Sequence, residues 1–313
     1  MKTALIIGCN GQDGKITKDL LLNLNYSLVC VDKDYVQSYG NSFSDKVDIE
    51  NFESVSNLIR SIKFDEIYFL AAYHHSSQER EQDNLILLKN SYAVNVYSLF
   101  NFLEAIRLFS KDSRLFYASS SLIFAGTNEP IQNELTPFCP TCIYGITKLD
   151  GMMLCRLYRE DHGVFASVGI LYNHESIYRP EHFLSKKIIK TVLAIKHGNK
   201  EKLIIGDLNA EIDWGYANDY VDAFIKIMEL NTADDFIVAT GKANKVMDFI
   251  KITFDHLSLD WRKHVEEDKN ILYRKRKTLV GDSSKLMDRT GWTPNTSFKQ
   301  MIELLLKEED VAK

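Results

Sequence analysis

The sequence predicts an α/β fold: a Rossmann-type doubly wound parallel sheet with a smaller α/β lobe over it. Three observations carry this expectation. Short β-rich runs alternate with helical patterns through the first half of the chain. A glycine-rich turn follows the first of those runs. After residue 171 the rhythm loosens into short strands, helices and polar loops, the signature of a lobe that covers the carboxyl ends of the sheet, where such folds bind ligands.

Taken in order, Thr3–Ile7 and Leu28–Val31 read as buried strands, and between them Ile16, Leu20, Leu21 and Leu24 recur at helical spacing. Ile67–Ala71, Leu115–Ala118 and Gly169–Leu171 are further apolar runs. Long helical patterns cover about 85–108 and 144–161. The expected first domain is 1–172, with 216–244 returning to it, and the second lobe is 173–215 with 245–313.

Composition agrees with an ordinary globular chain. The 313 residues are 45% hydrophobic and 26% charged, which excludes a disordered chain, a collagen-like fibre and a heptad rod. A net charge of −5 supplies no positive field for nucleic acid or anionic membrane. No apolar run approaches the ~20 residues of a spanning helix. The N-terminal apolar stretch is too short for a signal peptide, so a cytoplasmic location is expected. Five cysteines, an odd number in a chain of this length, point to reduced thiols rather than a disulfide framework.

The first strand runs into Gly8-Cys9-Asn10-Gly11-Gln12-Asp13-Gly14. Gly8 suits the tight turn, Gly11 a close approach of backbone to pyrophosphate, and Gly14 close packing of helix on strand. The free N–H groups at the helix start then face the phosphates. The second strand ends in Asp32, near the distance of about 20 residues at which a ribose-binding acid stands. A carboxylate there accepts from the ribose hydroxyls and repels a 2′-phosphate, so NAD is expected over NADP. Asp48 is a candidate for the adenine edge, with a local cap as the competing reading.

Tyr144 and Lys148 stand four residues apart and share one face of a helix. A nearby ammonium stabilises a phenolate, making the tyrosine a general base for a substrate hydroxyl. Ser120, at the end of the run Tyr117-Ala118-Ser119-Ser120-Ser121, completes the trio.

With these residues in place the chain resembles the extended short-chain dehydrogenases/reductases acting on nucleotide sugars, and among them the GDP-mannose 4,6-dehydratases. The likeness spans most of the chain. It rests on Asn10–Gly14, Leu70-Ala71-Ala72 with His75, Thr136-Pro137-Phe138, Tyr144 with Lys148, the run 169–176 and the run 213–221. The resemblance implies a cofactor site of Gly8, Asn10, Gly11, Gln12, Asp13, Gly14, Asp32, Asp48, Ile49, Leu70, Ala71, Ala72, Asn95, Tyr144 and Lys148. It implies a substrate site of His75, Ser120, Ser121, Leu122, Asn173, His174, Glu175, Arg179, Lys187, Asp213, Trp214 and Arg276. Asn173 and Lys187 would contact the nucleotide diphosphate, the base would be guanine, and a homodimer through the 85–108 and 144–161 helices would form.

Two departures stand out. The dehydratases carry Ser-Thr-x-Glu at the strand end, and the glutamate takes the sugar C5 proton. Here Leu122 occupies that register, and leucine moves no protons. The family also has an arginine where Ile212 precedes Asp213; Arg179, Arg274 or Arg276 are the candidate replacements.

The expected activity is NAD-dependent oxidoreduction at C4 of a GDP-linked sugar, of C4 epimerase or C4 dehydrogenase type. A 4,6-dehydratase with a relocated base (His74, His75 or Glu134) is the alternative. A non-catalytic NAD-sensing protein is a third reading, against which Ser120, Tyr144 and Lys148 speak. No metal is expected, because His74-His75 lacks a second ligand pair at metal spacing. Cys139 and Cys142 form a C-x-x-C without a thioredoxin context, and the cluster at 274–277 reads as a solvated or phosphate-facing loop.

Overall fold

The computed structural model describes residues 1–33, 35–41, 43–74, 83–199, 202–271 and 277–311. His75, Arg274 and Arg276 therefore lie outside the described residues. Seven strands form the main sheet: β1 (Thr3–Ile7), β2 (Ser27–Asp32), β3 (Tyr35–Tyr39), β4 (Glu66–Phe69), β5 (Arg114–Ser120), β6 (Ala166–Leu171) and, later in the chain, β10 (Asp235–Val238). Their spatial order is β10-β6-β5-β4-β1-β2-β3. All pairings are parallel except β2 with β3. The strands β1 and β2 read as near-continuous apolar runs because helices cover both faces of the sheet. The edge strand β3, half exposed on most of its length, has no such run and escapes an apolar-run search.

Helices α1 (Gln12–Asn23) and, after the second lobe's first strands, α7 (Ala217–Met228) cover one face. Helices α2 (Phe52–Ser61), α4 (Ser98–Phe109) and α5 (Ile143–His162) cover the other. The pattern expected as one helix over 85–108 is three pieces: α3 (Asn84–Tyr92), a π-helical turn Ala93–Tyr97, and α4. The strand order reverses between β1 and β4, so the chain leaves β1 and β4 on either side of a crevice at their carboxyl ends.

A second apolar core collects α6 (Leu184–Lys196), β8 (Leu203–Ile205), β9 (Glu211–Tyr216), α8 (Val246–His256) and α10 (Phe298–Val311). The short strand β7 (Asn173–Glu175) joins β9, which also pairs β11 (Ala243–Lys245), and β12 (Val265–Glu267) pairs β8. Helix α9 (Ser284–Thr290) departs from the expected partition. Its Leu286, with Trp292, packs into the core on the α1/α7 side of the main sheet. Among the described residues no helix is long and apolar enough to cross a membrane.

Candidate active site

The turn after β1 is shaped by what a side chain would hit. Gly8 has φ +88°, and a Cβ on it would lie 2.6 Å from the Ala71 backbone nitrogen. A Cβ on Gly14 would press on the Gly8 carbonyl oxygen and lie 2.6 Å from Cys9 Cα. Gly8, Gly11, Gly14 and Leu70-Ala71-Ala72 thus make a cradle of bare backbone at the carboxyl ends of β1 and β4. At its floor α1 begins, with its first N–H groups lacking intrahelical partners. Asp32, at the end of β2, holds this turn from the side: its Oδ2 accepts from Asn10 N at 2.8 Å and its Oδ1 from Lys33 N at 2.9 Å. This donor set fits a dinucleotide pyrophosphate, with Asp32 beside the ribose position.

Asp48 is exposed and turned back on its own loop, accepting from Glu50 N at 3.0 Å. The cap of α2 is Asn51, which accepts from Ser54 N. The Ile49 carbonyl accepts from Asn101 Nδ2 at 3.0 Å. Asn95 is buried in the π-helical turn. Its Oδ1 accepts from Tyr73 N at 2.8 Å, and its Nδ2 donates to Tyr73 O and to Thr147 Oγ1. One amide therefore ties the segment leaving β4 to the first turns of α5.

Helix α5 carries the trio's tyrosine and lysine. Cys142 caps it, its Sγ accepting from Gly145 N at 3.4 Å. Lys148 is 1% exposed. Its Nζ donates to Ala118 O at 2.8 Å, 5.6 Å from the Tyr144 ring centroid. Burial pulls its pKa down to about 7, opposed by the Asp13 carboxylate. Ser120 ends β5, and its Oγ accepts from Leu122 N at 3.2 Å, which leaves the hydroxyl proton for a ligand oxygen. Ser121 is buried and Leu122 half-buried in the following turn. A Cβ at Gly145 would lie 2.6 Å from Leu122 O, so Leu122 abuts the turn that presents Tyr144. The structure brings Ser120, Leu122, Tyr144 and Lys148 to one place.

His74 joins them. Its ring stands edge-on to Tyr144, centroids 4.7 Å apart, and stacks on Phe183 at 5.5 Å. The Arg179 guanidinium lies over Phe183, 4.2 Å from the ring centroid. The chain after β7 thus reaches the histidine that touches the tyrosine. Phe183 carried no sequence signal, because nothing in its local pattern distinguishes it from a core residue. Glu134, the third candidate for a relocated base, accepts from Ile237 N on β10 at 2.8 Å, and burial raises its pKa.

Four residues expected to contact substrate are engaged by their protein surroundings. Trp214 is buried in the second core, stacked on Phe298 with rings 5.8 Å apart and edge-on to Phe249. Asp213 is buried and accepts from Thr240 N and Oγ1, Gly241 N and Gly281 N. Both lone-pair regions of its carboxylate are thereby committed to bracing loops. Glu175 is buried against Arg179 Nε and Ser185 Oγ. His174 is buried between Tyr172 O and the Asp13 carboxylate. Asn173 is exposed at the start of β7. Lys187, whose pKa burial lowers, donates to Ile204 O at 2.8 Å. Of the candidate replacements for the arginine missing at Ile212, Arg179 is the one among the described residues, and it faces this corner.

Comparison with known proteins agrees with this geometry. The family model for GDP-mannose 4,6 dehydratase matches residues 5–305. GDP-mannose 4,6 dehydratase 1 of Arabidopsis thaliana is 32% identical over 339 residues, covering 98% of this chain and 90% of the relative. Among solved structures, RMD from Pseudomonas aeruginosa complexed with NADPH superposes with a TM-score of 0.84 at 18% identity, over 99% of this chain and 100% of the other. A dTDP-glucose 4,6-dehydratase from Bacillus anthracis in complex with NAD gives 0.84 at 16% identity, over 99% and 97%. At such identities the two structures speak for the fold, and the sequence matches speak for the family. The chain belongs to the GDP-mannose 4,6-dehydratase family.

Proposed function

We propose that this protein is a nucleotide-sugar dehydratase that acts on a GDP-linked hexose with NAD and has a relocated proton-transfer group at His74. The observation that carries the relocation is the 4.7 Å edge-on contact of His74 with Tyr144, on the side of a site where Leu122 stands in place of the family's acid. Bound NAD supplies a hydride acceptor that later returns the hydride. The remaining work falls to side chains. Ser120 donates to the sugar O4. Tyr144, as phenolate beside the Lys148 ammonium, takes the O4 proton while hydride leaves C4. The resulting 4-keto group acidifies C5–H. Neutral His74 takes that proton, and its conjugate acid protonates the departing C6 hydroxyl, so water leaves and the imidazole is restored. Hydride returns to C6, and the proton that Tyr144 took from O4, exchanged with solvent, passes to C5; the phenolate is restored and the product is a 4-keto-6-deoxy sugar with net loss of one water. Membership of the dehydratase family favours this reading over plain C4 chemistry.

A second reading, C4 epimerisation or oxidation, is favoured by Leu122 itself, since oxidation at C4 needs Ser120, Tyr144, Lys148 and NAD alone. Incubation of GDP-mannose and other GDP-hexoses in deuterated water separates the two. Deuterium at C5 in a 4-keto-6-deoxy product, abolished in His74→Phe with binding retained, supports the dehydratase. A C4-inverted or 4-keto product with C5 hydrogen intact overturns it in favour of the second reading.

The exposed apolar residues support a homodimer. Ile146, Met153 and Leu157 are exposed on α5 at spacings of seven and four, one stripe of a helix. Tyr97, at the end of the π-helical turn, and Phe100 on α4 are exposed, and Phe100 meets Tyr158 of α5 edge-on. Exposed apolar surface of this kind marks an association surface, and two copies related by a two-fold axis would form a self-complementary interface.

A further inference from the structure

Asp13 is an oddity in a phosphate-binding turn. It is the second residue of α1 and the acidic residue of its first turn. A carboxylate there suits the helix dipole, yet it repels the anionic group that the turn is shaped to receive. The group that faces it comes from a residue 161 positions further along the chain. His174 Nε2 lies 3.0 and 3.1 Å from the two Asp13 oxygens, and His174 Nδ1 lies 2.7 Å from Tyr172 O. A carbonyl and a carboxylate only accept, so both ring nitrogens of His174 face acceptors. Tyr220 stacks flat on it, centroids 4.6 Å apart at 22°, which fixes the ring plane. The flanking residues bind the same two segments: Gln12 Nε2 donates to His174 O at 3.1 Å, and Ser176 Oγ donates to Gln12 Oε1 at 2.9 Å. Although burial raises the Asp13 pKa, His174, Arg179 and Gln12 outweigh it and hold the carboxyl below its ordinary value.

We propose that His174 is a positioning residue that acts as a counter-charge: it neutralises Asp13 in the first turn of the phosphate-binding helix, and so lets that turn accept an anionic dinucleotide while clamped to β7. Asp13 without its partner is a bare carboxylate under a diphosphate. Like charges brought together away from bulk water repel, so loss of the partner should weaken dinucleotide binding by about tenfold or more.

This inference rests on the NAD reading of the cradle, and binding measurements separate the two. The dissociation constant of NAD is measured by calorimetry for the wild type, His174→Gln, Asp13→Asn and the double variant. The expected order is His174→Gln weaker by about tenfold or more, Asp13→Asn at least as tight as the wild type, and the double variant restored to near the wild-type value. A structural brace would behave differently, because Asp13→Asn would then weaken NAD as much as His174→Gln, and that result overturns the proposal. Should His174→Gln fail to fold, Asp13→Asn alone decides between the two outcomes. A wild type that binds no NAD overturns the cofactor reading and this inference together, whereas tight wild-type binding with an unaffected His174→Gln overturns only the inference.

Discussion

The His74 imidazole meets the Tyr144 ring edge-on, planes at 82°, and stacks on Phe183. The contact joins the segment leaving β4 to the first turn of α5 and to the stretch after β7. Three elements far apart in sequence therefore converge on the residue expected to take the substrate's proton.

Tyr144→Phe removes one hydroxyl and keeps the ring that packs on His74. Turnover should fall by at least about 10²–10⁴-fold, the usual worth of a positioned proton-transfer group. Binding of NAD and GDP-sugar, read by calorimetry, should change little. An unaltered kcat removes Tyr144 from the chemistry.

Asp32→Ala has two effects with different signatures. It removes the carboxylate that repels a 2′-phosphate, so the ratio of NADPH to NADH affinity should rise. It also frees Asn10 N from its 2.8 Å bond, so NADH binding itself should weaken. Titrating both cofactors against the wild type and the variant reads the two effects apart. A wild type that prefers NADPH contradicts the role given to Asp32.

Lys148 makes stability depend on pH in a definite direction. Burial lowers its pKa from the ordinary 10.5 to about 7. Between those values the unfolded chain holds a proton that the folded chain has released, so folding stability rises with pH across the window. Below about pH 7 both states are charged and the full cost of burying the ammonium is present. Lys148→Met lacks this increment. Denaturant unfolding of the pair from pH 6 to pH 10 should show the wild type gaining on the variant as pH rises. Parallel curves would contradict a buried, readily deprotonated lysine.

Met153→Glu places a charge in the centre of the exposed α5 stripe. If that stripe is the dimer face, the wild type scatters light as a dimer at micromolar concentration and the variant as a monomer with an unchanged circular dichroism spectrum. A monomeric wild type removes the interface.

Much of the cofactor end of the molecule was legible in the linear chain, because its signals are local. Gly8 and Gly14 answer to backbone crowding within one turn, and Tyr144 and Lys148 to one helical face. The second lobe was less legible. Asp213 and Trp214 carry functional-looking side chains, yet one is consumed by loop amides and the other by aromatic neighbours some 35 and 84 residues further on, at Phe249 and Phe298. His74 gave a weak signal for a related reason. Its significance depends on Phe183 and Tyr144, which only the folded chain brings to it. The edge strand β3 was missed because half-exposed edge strands have no apolar run to detect.

The π-helical turn at Ala93–Tyr97 has a consequence for how the helices around it are phased. Each residue of an α-helix advances the side chains by about 100°, and a single widened turn inserts one such step into an otherwise regular rod. Before it, α3 shows Leu85 and Leu88 outward. After it, α4 points Leu99, Phe102, Leu103 and Ile106 into the sheet. Asn95 sits within the offset itself, aimed at Tyr73 and Thr147. The widened turn works as a vernier between two gear trains: the core sets the rotation of one half, the outer surface that of the other, and the amide is clocked independently of both. Excising one residue from 93–97 would lock the two halves to a common phase and turn either the amide or the α4 core by about a quarter of a revolution.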